Sequence, residues 1–174
     1  MKFSGIINHF EKNALAWHIH IPIPADIFQK MLIDSPNKRI ICNLNNSHVF
    51  HCAMLPKGVF HYILLNTEIC KKLQLKPNDT VMVEIEADKT KYGINISEEM
   101  LAVLDSDDVG KILFEKLSPG ILRSTIYLLN KVKNPQSRIE KTFVVLDHLK
   151  RNKGVLNFKI LNEDFKNNTN NLRF

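Results

Sequence analysis

From Thr80 to Ala87 the chain alternates strictly, with Val81, Val83, Ile85 and Ala87 on one face and Met82, Glu84 and Glu86 on the other. A period of two with one apolar face is a half-buried strand, here entered from a Pro77-Asn78-Asp79 turn. Similar alternation, or a short apolar run between turn residues, predicts strands over residues 2–11, 17–21, 38–44, 48–55 and 58–65. Asn13, the Pro22/Pro24 pair, Asn45-Asn46 and Pro56-Lys57-Gly58 supply the punctuation. Two short helices are expected over residues 26–32 and 67–73, the second with Thr67 as N-cap and Glu68 in its first turn. Six strands this closely spaced predict a small closed or half-closed β-barrel.

Beyond Asp88 the period changes. Residues 88–95 are polar, contain Gly93 and read as a linker; every later pattern is helical. Ser97 caps a helix that carries Glu98 and Glu99 in its first turn, and Asp107 caps a second that ends near Leu117. Ser118-Pro119 and Asn134-Pro135 open a third and a fourth, with proline at the first helical position, where its missing N–H costs nothing. The fourth runs to about Asn152 and stops at Gly154. On it Ile139, Thr142, Phe143, Val145, Leu146 and Leu149 share one face. From Asn162 the chain is rich in Asn and Lys and is expected to fray, with Phe165 the residue able to dock. The organisation expected is therefore α+β: a β-barrel domain over residues 1–90, a helical domain over 96–161 and a polar tail over 162–174.

Composition narrows the class. A chain of 174 residues buries roughly 70% of its unfolded surface, so it needs no disulfide or metal staple. Cys42, Cys52 and Cys70 lie inside apolar patterns and read as reduced, buried thiols, which fits the cytoplasm. The first residues lack the apolar core of a signal peptide. The longest apolar run, residues 59–65, contains His61 and is too short to span a bilayer. The net charge is +6, and it is unevenly placed. Residues 119–159 hold nine bases against only Glu140 and Asp147, whereas the first ninety hold ten bases and eight acids. That asymmetry fits an anionic ligand or an acidic protein, fits weak and non-specific nucleic-acid binding, and fits equally a set of solvated helix faces.

The most specific cluster lies on the third and fourth helices. Arg123, Tyr127 and Asn130 fall at i, i+4 and i+7, a polar stripe opposite Leu122, Ile126 and Leu129. Arg138 sits in the first turn of its helix, where the dipole disfavours a cation, and it flanks the apolar face. Such a guanidinium needs a definite partner: Glu115 or a helix C-terminus if it is structural, a bound anion or acidic protein if it is functional. Lys131 and Lys141 complete the candidate ligand or partner set. Arg123 and Arg138 are expected near one another at the mouth between the two helices, which requires a steep crossing or an early end to the third helix, because a strict hairpin would interpose most of that helix and leave Tyr127, Asn130 and Lys131 as the neighbours of Arg138.

Other chemistry is thinly represented. His18 and His20, two apart on a strand, project from one face as metal ligands would, with a third to come from His9, His48, His51 or His61. No His-x-x-x-His, Cys-x-x-Cys, Gly-x-Ser-x-Gly or glycine-rich phosphate loop occurs. Glu84 and Glu86 share a strand face and could form a carboxylate pair, although alternating acids are ordinary on a wet sheet face. No catalytic residue, metal ligand or cofactor is assigned on these grounds.

The segment Trp17-His18-Ile19-His20-Ile21-Pro22, the Pro56-Lys57-Gly58 turn, residues 73–88 and KVKNPQSRIEK over residues 131–141 resemble the YdeI/OmpD-associated, or bacteriocin-protection, family. The resemblance spans about Phe3 to Leu161. It implies an N-terminal double-split β-barrel, of the kind related to AbrB-type regulators, followed by a helical domain. The family's Gly-Asp turn reads Asn78-Asp79 here, and asparagine tolerates a left-handed backbone. The family's helical Glu-Thr-Arg reads Gln136-Ser137-Arg138, which keeps the arginine and loses the neighbouring carboxylate. The function implied is a cytoplasmic, non-enzymatic binding or interaction module connected with stress or bacteriocin tolerance. The alternatives are a DNA-binding AbrB-like regulator and a small metal-binding protein or enzyme using His18 and His20.

Overall fold

A computed structural model of the chain describes residues 1–10 and 19–171, with side chains through Asn168. The chain divides into two compact units, Met1–Gly93 and Ile94–Phe174. The first contains β1 (Lys2–Ile6), β2 (Asn8–His9), β3 (Ile19–Ile23), α1 (Ala25–Asp34), β4 (Arg39–Leu44), β5 (His48–Ala53), β6 (Leu55–Lys57), β7 (Phe60–Leu64), α2 (Thr67–Lys72) and β8 (Thr80–Ala87). The second contains α3 (Glu98–Ser106), α4 (Asp108–Glu115), α5 (Pro119–Asn130), α6 (Pro135–Arg151) and α7 (Phe158–Asn171).

The strands form two antiparallel four-stranded sheets, ordered β1-β8-β4-β5 and β2-β3-β7-β6. The expected closed or half-closed barrel is not what the described hydrogen bonds make: both sheets are open. The reason lies in two of the expected long strands, each of which breaks at one residue. Ile7 separates β1 from β2, and Met54 separates β5 from β6. Both side chains are buried in the core, and their backbones stay bonded at the break. The Ile7 N–H donates to the Asp79 carbonyl (2.9 Å), and the Ile7 carbonyl accepts from the Asn78 N–H (2.7 Å). The Met54 N–H donates to the Lys38 carbonyl (2.9 Å). These are corners, where an edge strand leaves one sheet and joins the other without orphaning its polar groups.

Between the sheets lie Ile21, Ile40, Cys42, Leu44, Ile63, Val83 and Ile85, all inaccessible to solvent. The alternation read along β8 is observed, with Val81, Val83 and Ile85 inside and Met82 exposed. Pro22, expected as punctuation, lies within β3 opposite Tyr62. β2 covers β3 only at Ile19 and His20, so the missing N–H of Pro22 removes no ladder bond. The N-cap of α2 is Asn66 rather than Thr67; its side chain accepts from the Ile69 N–H at 2.7 Å. Asn78 takes the left-handed backbone expected of it, with φ of 74°.

In the second unit α6 packs against α3, α4, α5 and α7. Its buried face is Thr142, Val145, Leu146, His148 and Leu149, whereas Phe143, assigned to that face by periodicity, is 41% exposed. The expected fraying tail is instead largely helical. α7 is fastened through Leu161, which is fully buried, and Asp164, which bonds His148. Among the described residues no helix is long and apolar enough to cross a membrane.

Two glycines set close approaches. A Cβ on Gly5 would lie 2.6 Å from Ile21 Cγ2, and one on Gly110 would lie 2.9 Å from Leu146 Cβ. Gly5→Ala and Gly110→Ala are each expected to lower stability by about 1–3 kcal/mol through overpacking. Urea unfolding followed by circular dichroism measures this, and an unchanged midpoint would show that the neighbours yield freely.

Candidate functional site

The candidate cluster is built on α5 and α6. α5 begins at Pro119 after Ser118 and buries Leu122, Thr125, Ile126 and Leu129. Residues one third of a turn away, Arg123 and Tyr127, are carried to its outer side, with Tyr127 48% exposed. Lys131 caps the C-terminus in helical conformation, and its ammonium stands 4.7 Å from the centre of the Tyr127 ring. After a three-residue turn Asn134 caps α6 by accepting from the Ser137 N–H at 3.0 Å.

Arg138 faces inward to this turn. Its Nε and Nη2 donate to the Val132 carbonyl at 3.1 and 2.6 Å, and Nη1 donates to Glu99 Oε2 at 2.9 Å. The side chain is 15% exposed and that of Glu99 28%. The definite partner demanded by its placement is therefore a carbonyl just past the end of α5 together with a carboxylate from α3. Glu115 does not fill that place, and the hydrogen bonds do not lead to Arg123. The backbone N–H of Glu99 itself, followed by the Arg138 guanidinium, holds the Glu99 carboxyl below its usual range.

The remaining candidates separate in the same way. Asn130 donates through Nδ2 to the Asn95 carbonyl at 2.7 Å, tying the end of α5 to the segment before α3. The Lys141 ammonium lies 5.4 Å from the Phe165 ring on α7. Arg123, Tyr127 and Lys131 share the outer side of α5, while Arg138, Asn130 and Lys141 are engaged within the unit.

Further bases of the basic segment meet acids from elsewhere. Lys150 bonds Asp107 Oδ2 (2.8 Å) and Asp147 (2.9 Å). The Lys150 ammonium, then the Gly110 N–H, hold the Asp107 carboxyl below its ordinary value. Arg151 reaches Asp164 at 2.9 Å. The same Asp164 oxygen is 2.7 Å from Nδ1 of His148, a residue with no exposed surface, while Nε2 accepts from the Asn157 N–H at 3.3 Å. An accepting Nε2 puts the ring proton on Nδ1, directed at the carboxylate. Burial works to raise the Asp164 pKa, but the hydrogen bonds from His148 and Arg151 outweigh it and leave the group below the usual carboxylate value.

A second histidine–carboxylate pair lies in the first unit. His51 Nδ1 is 2.8 Å from Asp88 Oδ2, and the Asp88 side chain is fully buried. Its other oxygen accepts from the Thr90 N–H (3.0 Å) and hydroxyl (2.5 Å). Burial again opposes ionisation, and the bonds from Thr90 and His51 prevail, so the carboxyl titrates below its usual value. Arg39 Nη2 donates to the Gly93 carbonyl at 2.7 Å, so His51 and Arg39 together fix the loop that follows β8. Of the proposed metal pair, His20 is buried and stacked on Phe10 at 3.6 Å between centroids, and His18 lies outside the described residues. Glu84 is bridged by Lys2 at 3.4 Å.

Sequence reading missed Glu99, Asp164 and Asp88. The available signals were a histidine on the apolar face of α6 and a histidine and an aspartate near strand ends, each needing a partner. No family model matches the chain, and no curated protein matches it.

Removing Arg138 leaves the Val132 carbonyl and Glu99 without their donor. Arg138→Ala is expected to cost about 1–3 kcal/mol. Arg138→Lys should recover little, because an ammonium lacks the fork that serves both acceptors. Thermal unfolding of the two variants decides it. A second expectation concerns pH. Asp164 titrates lower in the folded chain than its unfolded value of about 3.9. Its contribution is therefore complete above that value and is lost as pH falls through the folded one. The stability difference between wild type and Asp164→Asn should shrink steadily on acidification in this window; a constant difference would contradict it.

Proposed function

We propose that the chain is a non-enzymatic binding module of the YdeI/OmpD-associated kind, acting in the cytoplasm in stress or bacteriocin tolerance, and that it meets an acidic protein through the outer side of α5. The observation that carries this reading is the division of the six candidate residues. Arg138, Asn130 and Lys141 are used to assemble the helical unit, whereas Arg123, Tyr127 and Lys131 lie at i, i+4 and i+8 on one outward stripe. Tyrosine is enriched in protein contact surfaces, and the Lys131 ammonium over the Tyr127 ring adds positive charge to its apolar area.

The family reading draws support from the sheet unit as well. β1 runs into β2 through Ile7, and β5 runs into β6 through Met54, so both edges of one sheet continue into both edges of the other. We read this as a barrel split along two lines, the arrangement the resemblance implies.

The DNA-binding alternative rests on the basic segment, and three of its nine bases, Arg138, Lys150 and Arg151, are engaged by Glu99, Asp107 and Asp164. Nucleic-acid binding is accordingly expected to be weak, sequence-independent and largely lost near ~150 mM salt. Anisotropy titrations of a labelled duplex at two salt concentrations test that; tight, sequence-dependent binding that survives the higher salt would install the regulator reading instead. For the leading reading, quantitative cross-linking in cells should recover acidic proteins with the wild type. Tyr127→Ala combined with Lys131→Glu should reduce that recovery about tenfold, the loss of a central contact worth roughly 1.4 kcal/mol. Unchanged recovery would remove α5 as the contact.

A further inference from the structure

The outer face of the second sheet is aromatic where an antiparallel sheet is ordinarily polar. Ile21 and Ile63 lie opposite one another and are fully buried, so they mark the inner face. The pleat then sends their neighbours His20 and Tyr62 outward, with Phe60 two residues before Tyr62. Lys57, opposite Phe60, joins the same face. Phe10, just past β2, lies flat on His20 at 3.6 Å between centroids, and the Lys57 ammonium stands 3.3 Å from its centre. A ring and an ammonium that close to one centroid must occupy its two faces, so Phe10 is used up. Phe60 and Tyr62 are not. Their rings are 6.2 Å apart and tilted, Tyr62 meets Phe10 edge-on at 5.1 Å, and both residues are half-buried and keep accessible surface. The hairpin that carries Lys57 and Phe60 is open at its tip. A Cβ on Gly58 would meet nothing within 4 Å, and Val59 is fully exposed.

We propose that this face binds single-stranded nucleic acid, with successive bases stacked on Phe60 and Tyr62 and the Lys57 ammonium on the phosphate between them. Charge decides for this ligand. None of the outward positions of β2, β3, β6 and β7 is an acid, whereas the first sheet carries Glu84 and Glu86 outward. Among the described residues Lys57 makes no ion pair, so its charge is available to an anion. Two ring faces beside one free cation match a repeating unit of planar base and phosphate. A duplex keeps its base faces in its own stack and cannot use the rings. This surface lies in the first unit and does not depend on the α5 stripe.

The test is fluorescence anisotropy of the full chain with fluorescein-labelled hexathymidylate. The strand should bind in the micromolar range. An abasic hexamer with the same phosphates, a duplex of the same length and thymidine monophosphate as competitor should each bind at least tenfold more weakly. Phe60→Leu and Tyr62→Leu keep apolar volume and remove the π-face, and each should weaken binding about tenfold. Lys57→Gln should lower the salt slope by about 0.7, the share of one phosphate contact. Lys30→Gln, which removes an exposed cation of α1, should leave affinity unchanged. Melting followed by circular dichroism shows which ring variants fold, and the abasic comparison needs none of them. Equal binding of the abasic hexamer, of the duplex or of the mononucleotide would overturn the proposal, as would unchanged affinity in a folded ring variant. Tighter binding of a decaproline peptide than of the oligonucleotide would assign the rings to a polyproline partner instead.

Discussion

The first unit depends on one constraint: a strand that changes sheets must keep its backbone bonded while its side chain enters the core. Ile7 and Met54 meet it. Burying an aliphatic side chain of this size is worth about 1.5–3 kcal/mol. An orphaned buried N–H or carbonyl would cancel much of that gain. At Ile7 the cancellation is avoided because the Asn78-Asp79 turn supplies both an acceptor and a donor, and this turn needs a left-handed residue at Asn78. A local turn and a distant corner are thus one structural device. The same corner brings β1 against β3, where Gly5 is required because Ile21 occupies the place of a side chain.

The helical unit solves a different problem, that of a segment far more basic than its surroundings. Its solution is to return acids from other helices to the bases of α6. Glu99 from α3 meets Arg138, Asp107 at the start of α4 meets Lys150, and Asp164 from α7 meets both Arg151 and His148. These pairs differ in worth. Lys150 and Arg151 are substantially exposed, so their net contributions are small. Arg138 and His148 are shielded and hydrogen-bonded on several sides, and there a missing partner leaves a buried group unsatisfied. Three of the nine bases between Pro119 and Lys159 are thus answered by acids from other helices, and only Arg138 among them is shielded from solvent.

What the sequence determined by itself was local and periodic. The alternation of β8, the proline and asparagine starts of α5 and α6, the left-handed Asn78 and the need of Arg138 for an acceptor all follow from residues within a turn or two of one another. The tertiary structure decided everything that depends on separated residues. Whether six strands close a barrel or make two open sheets turns on what Ile7 and Met54 bond to, and those partners are 71 or more and 16 residues away. Likewise Glu99 reaches Arg138 across 39 positions, and Asp164 turns a polar tail into a docked helix only because His148 lies buried opposite it. Periodicity reports which face of an element is apolar, but a single polar side chain on that face can be satisfied from any part of the fold, and only the packed chain selects the partner.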